Sequence, residues 1–195
     1  MQIKKQGLKP QPASTAVLVR QAARDIEVLL LLRNRHLVFN GGQWVFPGGR
    51  IDPLDYPDAD CKQEYQAALN AAVRETEEEA GITIELEALR HIAHWTTPEG
   101  YSRRFSTWFF LATLTRPVTI KVDHQEIIDF CWRSPCNALL ASERGELQLP
   151  EPTLQTLRSI APYRSTSSLH EALAQRPVHV FPKDSQDYPR HCIPR

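Results

Sequence analysis

Three glutamates, Glu75, Glu78 and Glu79, stand at i, i+3 and i+4 in the segment Arg74-Glu75-Thr76-Glu77-Glu78-Glu79-Ala80-Gly81-Ile82. On a helix this spacing puts three carboxylates on one face. Like charges gathered in this way repel one another unless a cation or a basic partner compensates. A hard divalent ion does so well, because Mg²⁺ takes oxygen ligands and keeps several waters for a phosphate substrate. A solvated acidic helix surface is the plain alternative. The context weighs against it: one Arg, three Glu and one Gly at five fixed positions coincide by chance roughly once in 10⁶ windows.

These carboxylates need a helix behind them. The periodicity predicts one from about Cys61 to Ala80, with Tyr65, Leu69, Ala72, Val73 and Thr76 as its buried stripe. Asp60 and Gln63 have the spacing of a capping box, and Gly81 supplies the left-handed stop. On this reading the carboxylates point away from the core. Small Ala68 and Ala71 lie on their side and leave room for a ligand. Ala13–Arg20 and Ile26–Leu32 read as a hairpin-like strand pair, and Gln43–Phe46 as a short strand ended by Pro47-Gly48-Gly49. Ile82–Leu86, Leu89–Trp95, Ser106–Leu114, Val118–Val122 and Ile127–Trp132 read as further strands. Pro135–Ala141 and Pro152–Ile160 read as short helices with proline near their starts. Strands on both sides of one strong helix imply a layered α/β domain. The organisation is an N-terminal arm (residues 1–12), one domain (13–160) and a proline-containing extension of weaker periodicity (161–195).

The composition excludes several classes. With 195 residues, one domain is the default count. Lys plus Arg and Asp plus Glu are both 23, so the formal net charge is zero and a nucleic-acid binder working by bulk charge is disfavoured. A small nucleotide is not excluded, since local charge binds it. No run approaches the ~20 apolar residues of a membrane span, and the N-terminus has no apolar stretch behind its lysines. Cys61, Cys131, Cys136 and Cys192 form no C-x-x-C pair. They read as thiols of a reducing compartment, which makes a cytoplasmic protein the expectation.

Arg74 through Ile82 resemble the second half of the signature of the Nudix hydrolases: Arg-Glu-apolar-any-Glu-Glu-any-Gly-apolar, with Thr76 in the first apolar slot. Phe46-Pro47-Gly48-Gly49 is similar to the usual lead into the first half. After five intervening residues from Gly49, Asp55 stands where the family has Glu. Eighteen residues then separate Asp55 from Arg74 where the family has seven, so the box carries an insertion of 11, at about residues 56–66. Glu64 is a second candidate for the displaced acid. The resemblance covers about residues 13–160. His94-Trp95-Thr96-Thr97-Pro98 and Arg103-Arg104-Phe105-Ser106-Thr107-Trp108-Phe109-Phe110-Leu111-Ala112 resemble a branch that includes acyl-coenzyme A diphosphatases. Leu29-Leu30-Leu31-Leu32-Arg33, followed by Gly42-x-x-x-Phe46, is an imperfect match to the coenzyme A-type motif.

The resemblance implies an α/β/α sandwich with a mixed sheet. It implies Mg²⁺- or Mn²⁺-dependent hydrolysis of a nucleoside diphosphate linked to another moiety, coenzyme A or acyl-coenzyme A first. Bound metal neutralises phosphate charge and activates water. The implied metal ligands are Glu75, Glu78 and Glu79, with Glu78 and Arg74 in the catalytic set and Arg74 orienting a helix carboxylate. Gly48 and Gly49 let the backbone approach closely. Glu126 is a candidate general base or an ordinary surface acid. Arg33, Arg35, Arg103 and Arg104 are candidates for substrate contact or structural charges. Trp95 and Trp108 are candidates for base stacking or core, and His94 for a base or a structural ring. Two other readings stay open. One is an ADP-ribose or nucleotide-sugar pyrophosphatase, since Pro98 lies 16 residues past Ile82. The other is a silent nucleotide-binding module, given the disrupted first half of the box. The expected partner is a small nucleotide, with no nucleic acid and no membrane. Homodimers are common in the family.

Overall fold

A computed structural model of the chain describes residues 8–57 and 63–193. Among the described residues eight strands form one mixed sheet: β1 (Gln11–Gln21), β2 (Ile26–Arg33), β3 (Trp44–Val45), β4 (Gly48–Arg50), β5 (Arg90–Thr96), β6 (Phe105–Leu114), β7 (Ile127–Arg133) and β8 (His179–Phe181). Their order is β3-β2-β1-β6-β5-β8, with β4 also pairing β1 and β7 pairing β2. The pairs β1·β6 and β5·β8 are parallel, and the other pairs antiparallel. Strand β1 is central, and its run Ala16-Val17-Leu18-Val19 is buried on both faces. A continuous apolar run, and not an alternating one, is what two covered faces require.

Helix α1 (Glu64–Ala80) covers one face; Ala138 and Ala141 of α2 (Pro135–Glu143), Leu157 and Ile160 of α3 (Glu151–Ile160), and Leu169 of α4 (Thr166–Gln175) pack in the core of the other. The expected α/β/α sandwich is therefore present. No helix among the described residues is long and apolar enough to cross a membrane.

Several expectations need correction. Asp60 of the expected cap pair and the expected helix start at Cys61 fall on residues 58–62, outside the described residues, while Gln63 stands at the N-cap of α1. The buried face of α1 matches the predicted stripe only in part, at Ala72 and Thr76. Ala67, Ala68, Ala71, Ala72 and Thr76 are buried, whereas Tyr65, Leu69 and Val73 are half-buried at one border. Ala68 and Ala71 face the sheet and leave no room for a ligand. Small side chains let α1 come so close to β1 that Ser14 Oγ donates to the Ala68 carbonyl at 2.6 Å. The centre of the buried face falls on alanines, beside the large apolar residues, because at this contact small volume, not hydrophobicity, decides the fit.

Ile82–Leu86 and Val118–Val122 join no ladder among the described residues. Ile82 and Ile84 are still buried and Val118, Ile120 and Val122 pack on the same core. Alternation reports one covered face, and strand pairing is a separate matter. Three elements lay beyond the sequence reading: β4 in the Pro-Gly-Gly turn, and α4 and β8 in the C-terminal extension. Strand β1 also begins inside the expected arm, at Gln11.

The extension is stitched to the domain. Arg104 is buried and donates to the carbonyls of Thr97 and Leu8 and to the carboxylate of Asp187, at 2.9, 2.7 and 3.0 Å. It joins three separate segments, so Arg104→Ala leaves buried acceptors unpaired at about 1–3 kcal/mol each. Urea unfolding should show a loss of at least 2 kcal/mol, with kcat/KM of the remaining folded protein unchanged.

Candidate active site

Glycine ends α1: Gly81 has φ 67° and ψ 24°, and its N–H reaches the Glu77 carbonyl at 2.9 Å. The last turns of the helix lie against β4. Ala71, Glu75 and Glu79 follow one another at i+4, so the buried alanine row leads directly into two of the carboxylates. The three glutamates therefore differ. Glu79 is 6% exposed, the Glu75 side chain 15%, and only the Glu78 side chain, at 58%, faces solvent. The expectation that all three point away from the core holds for Glu78 alone.

The two glycines of β4 make the cradle. The Gly48 N–H donates to Glu79 Oε2 at 2.9 Å. At Gly49 a β-carbon would stand 2.3 Å from Glu75 Oε1, so only a glycine lets this carboxylate rest on the backbone. At Gly48 a β-carbon would stand 2.4 Å from the Ser14 carbonyl oxygen, which lets β4 lie flat on β1.

Arg74 gathers the acids. Its Nε and Nη2 hold both oxygens of Asp55 at 3.0 and 2.9 Å, and its Nη1 donates to Glu75 and Glu78, each at 2.9 Å. Asp55 is 4% exposed and sits in the 3₁₀ turn Pro53–Asp55, docked on α1 by Asn70, whose Nδ2 donates to the Asp55 carbonyl. The guanidinium is held charged above its ordinary range, first by its hydrogen bonds to Asp55. Glu64, the other candidate for the displaced acid, lies about three turns from Glu75 and accepts Trp108 Nε1 at 3.1 Å.

Arg33 makes the second cationic contact. Its Nη1 lies 3.5 Å from Glu79, its Nη2 bonds Glu126, and its Nε donates to the Phe39 carbonyl. The loop before β7 thus brings Glu126 to the site. The Asp123 carboxylate pins that loop by accepting the N–H groups of Gln125, Glu126 and Ile127. Arg35 and Arg103 are exposed on the 34–42 and 97–104 loops, and Arg104 is committed to the stitching described above. Trp108 is core and Trp95 stacks on Phe181 with centroids 3.9 Å apart.

The electrostatics are unbalanced. Five carboxylates (Asp55, Glu75, Glu78, Glu79 and Glu126) meet two guanidiniums. Burial pushes Glu79 up to about 8, and the charges of Glu75 and Glu126 add to the rise. Burial raises Glu75 too. Excess negative charge on partly buried oxygen donors, with no sulfur or imidazole among them, fits a hard divalent cation. Among the described residues no three His, Cys, Asp or Glu side chains are gathered tightly enough to form a ligand set. Arg74 and Gly48 hold the carboxylates instead.

His94 lies elsewhere, in an aromatic cluster beneath α1. It is fully buried, its Nε2 meets Ser106 Oγ at 3.1 Å, and its ring lies 4.6 Å from that of Tyr188. Burial, joined by the nearby His91, pushes it down to about 3. It is therefore a neutral structural ring. A depressed histidine favours folding above its unfolded value near 6.5 and loses that contribution as pH falls toward the folded value. At about 1.4 kcal/mol per pH unit, His94→Phe should be spared about 2 kcal/mol of the loss the native protein suffers between pH 6.5 and 5. Paired urea titrations check this, because the opposite-signed terms of Glu75 and Glu79 are common to both proteins.

A family model described as NUDIX domain matches residues 9–152. The chain is 35% identical over 91 residues to acyl-coenzyme A diphosphatase NUDT19 of Homo sapiens, a match covering 46% of this chain and 24% of that protein. The match thus spans about a quarter of that relative's length. It is 32% identical over 114 residues to the asymmetrical bis(5'-nucleosyl)-tetraphosphatase of Caenorhabditis elegans, covering 58% and 72% of the two chains. The crystal structure of a NUDIX hydrolase from Alicyclobacillus acidocaldarius shares the fold, with a TM-score of 0.75 and 23% identity over 87% of this chain and 97% of that one. A cradle of paired glycines under a three-glutamate helix and a family match over most of the chain agree: this protein belongs to the Nudix hydrolases.

Proposed function

We infer that the chain is a Mg²⁺- or Mn²⁺-dependent diphosphatase acting on coenzyme A or acyl-coenzyme A. The observation that carries the metal dependence is the excess of five carboxylates over two guanidiniums beside Gly48 and Gly49. Glu75, Glu78 and Glu79 would hold the metal, which when bound supplies charge neutralisation at the diphosphate and a more acidic water. Arg74, anchored by Asp55, positions Glu75 and Glu78. Glu126, half-exposed on Arg33, is placed to accept a proton from water at its carboxylate. Arg33, Arg35 and Arg103 bind phosphate oxygens, and Gly48 and Gly49 keep the floor of the site free of side chains. The branch motifs and the likeness to the human acyl-coenzyme A diphosphatase support the substrate class. A second reading, cleavage of a dinucleoside polyphosphate, draws on the larger share of the worm tetraphosphatase that the chain covers.

A panel of coenzyme A, decanoyl-coenzyme A, ADP-ribose and diadenosine tetraphosphate, with and without Mg²⁺, tests this. Coenzyme A should give 3′,5′-ADP and a phosphopantetheine product faster than the other two nucleotides are cleaved. Equal or faster cleavage of ADP-ribose or diadenosine tetraphosphate would sink the substrate assignment.

A further inference from the structure

The C-terminal extension builds a cavity of about 350 Å³ between β5, β8, α3 and α4. This volume lies in the range of small-ligand pockets. Ile92, Trp95, Leu173, Val178 and Phe181 give it an apolar floor and sides, while Arg176 and His179 add polar groups from the segment that joins α4 to β8. Its hydroxyls are already satisfied within α3: Thr156 donates to the Pro152 carbonyl and Ser159 to the Thr156 carbonyl. Gln155 is likewise bonded to Glu151. The helix wall therefore offers an occupant little to bond to, and its shape and apolarity suit a hydrocarbon chain.

The sheet register ties this cavity to the candidate active site. Arg50, the residue after Gly49, pairs with Ala13; Ala13 pairs with Thr107; Thr107 with Trp95; and Trp95 with Phe181. Directly paired residues share a face of the sheet. That face is the one opposite α1, because neighbouring Ser14 is the residue bonded to α1. Thr107 and Trp95 keep part of their surface open. Four strand spacings of about 4.8 Å make the row roughly 19 Å long. Phe105, two residues before Thr107, packs at a tilt against Phe39 with ring centroids 4.9 Å apart, and the Phe39 carbonyl is held by Arg33 of the site. Phe39, Phe105, Thr107 and Trp95 thus lead from beside Arg33 to the cavity.

We propose that this cavity binds the acyl tail of the substrate, delivered by a long flexible arm that passes over Phe105, Thr107 and Trp95 while the diphosphate sits at Gly48 and Gly49. The proposal rests on the diphosphatase reading for the substrate but names a separate subsite for its tail. The C-terminal extension is then a specificity element.

Two variants block the cavity from opposite walls: Ser159→Phe on α3 and Leu173→Trp on α4. Calorimetric binding of decanoyl-pantetheine, which lacks the diphosphate, isolates the subsite from turnover. The native protein should bind it at least tenfold more tightly than pantetheine, and both variants should lose that preference. Their kcat/KM for decanoyl-coenzyme A should fall at least tenfold, with that for coenzyme A held within twofold. Equal affinity for pantetheine and its decanoyl form would overturn the proposal. So would variants that bind the tail normally, or that only dissociate a dimer. Tail binding lost in both variants, with neither thioester nor coenzyme A hydrolysed by the native protein, would leave the subsite standing and end the diphosphatase reading.

Discussion

Glu79→Gln will cost about 10³-fold in metal-dependent turnover and nothing in fold. The change is isosteric, so the Gly48 N–H keeps an oxygen to donate to. What disappears is one negative charge of a proposed metal ligand. Several kcal/mol of charge stabilisation is the scale a catalytic metal supplies, and about 1.4 kcal/mol corresponds to each tenfold in rate. Stability should move the other way. The folded carboxyl is raised to about 8, first by burial, so its contribution is complete below its unfolded value and is lost as pH rises through 8. In EDTA at pH 8.5 the glutamine variant should therefore melt at a temperature equal to or above that of the native protein. A variant that is less active and less stable in parallel would mean that Glu79 is a packing residue.

The two cradle glycines should fail in different ways. Gly49→Ala places a methyl against the tip of Glu75, the far end of a flexible side chain that can swing aside. The fold should survive within about 1 kcal/mol. Displacing a carboxylate by an ångström from its working position costs on the order of 10²-fold in rate. Gly48→Ala drives its methyl into the Ser14 carbonyl oxygen at 2.4 Å and the Thr15 Cα at 2.8 Å, both backbone atoms of the central strand. These cannot yield without parting β4 from β1, so a loss near the upper end of the 1–3 kcal/mol overpacking range follows. Thermal melts and steady-state rates on the same preparations separate the two. Loss of stability in Gly49→Ala with rates preserved would reverse the assignment.

Much of this was legible in the residues, because a carboxylate triplet at i, i+3, i+4 and a Pro-Gly-Gly turn each have few structural solutions. The helix, its Gly81 stop and the paired strands β1 and β2 all follow from local pattern, whereas the approach of Glu126 to Arg33 joins residues 93 apart in the chain. The burial of Glu75 and Glu79 did not, since it depends on the alanine row of α1 meeting β1, a contact of small side chains that hydropathy barely registers. The grip of Asp55 on Arg74 spans 19 residues and an insertion, so spacing within the box could not reveal it. Helix α4 did leave a trace: Ser165 caps the Ser168 N–H, and Leu169 and Leu173 stand one turn apart. Strand β8 is three residues between prolines, and only its parallel pairing with β5 makes it a strand.

Metal-dependent diphosphatase activity is decided by the initial rate of coenzyme A cleavage, followed as release of 3′,5′-ADP, in Mg²⁺ and after chelation with EDTA. Cleavage that stops on chelation and returns when Mg²⁺ is restored is the predicted result. Cleavage that continues at the same rate in EDTA would contradict it.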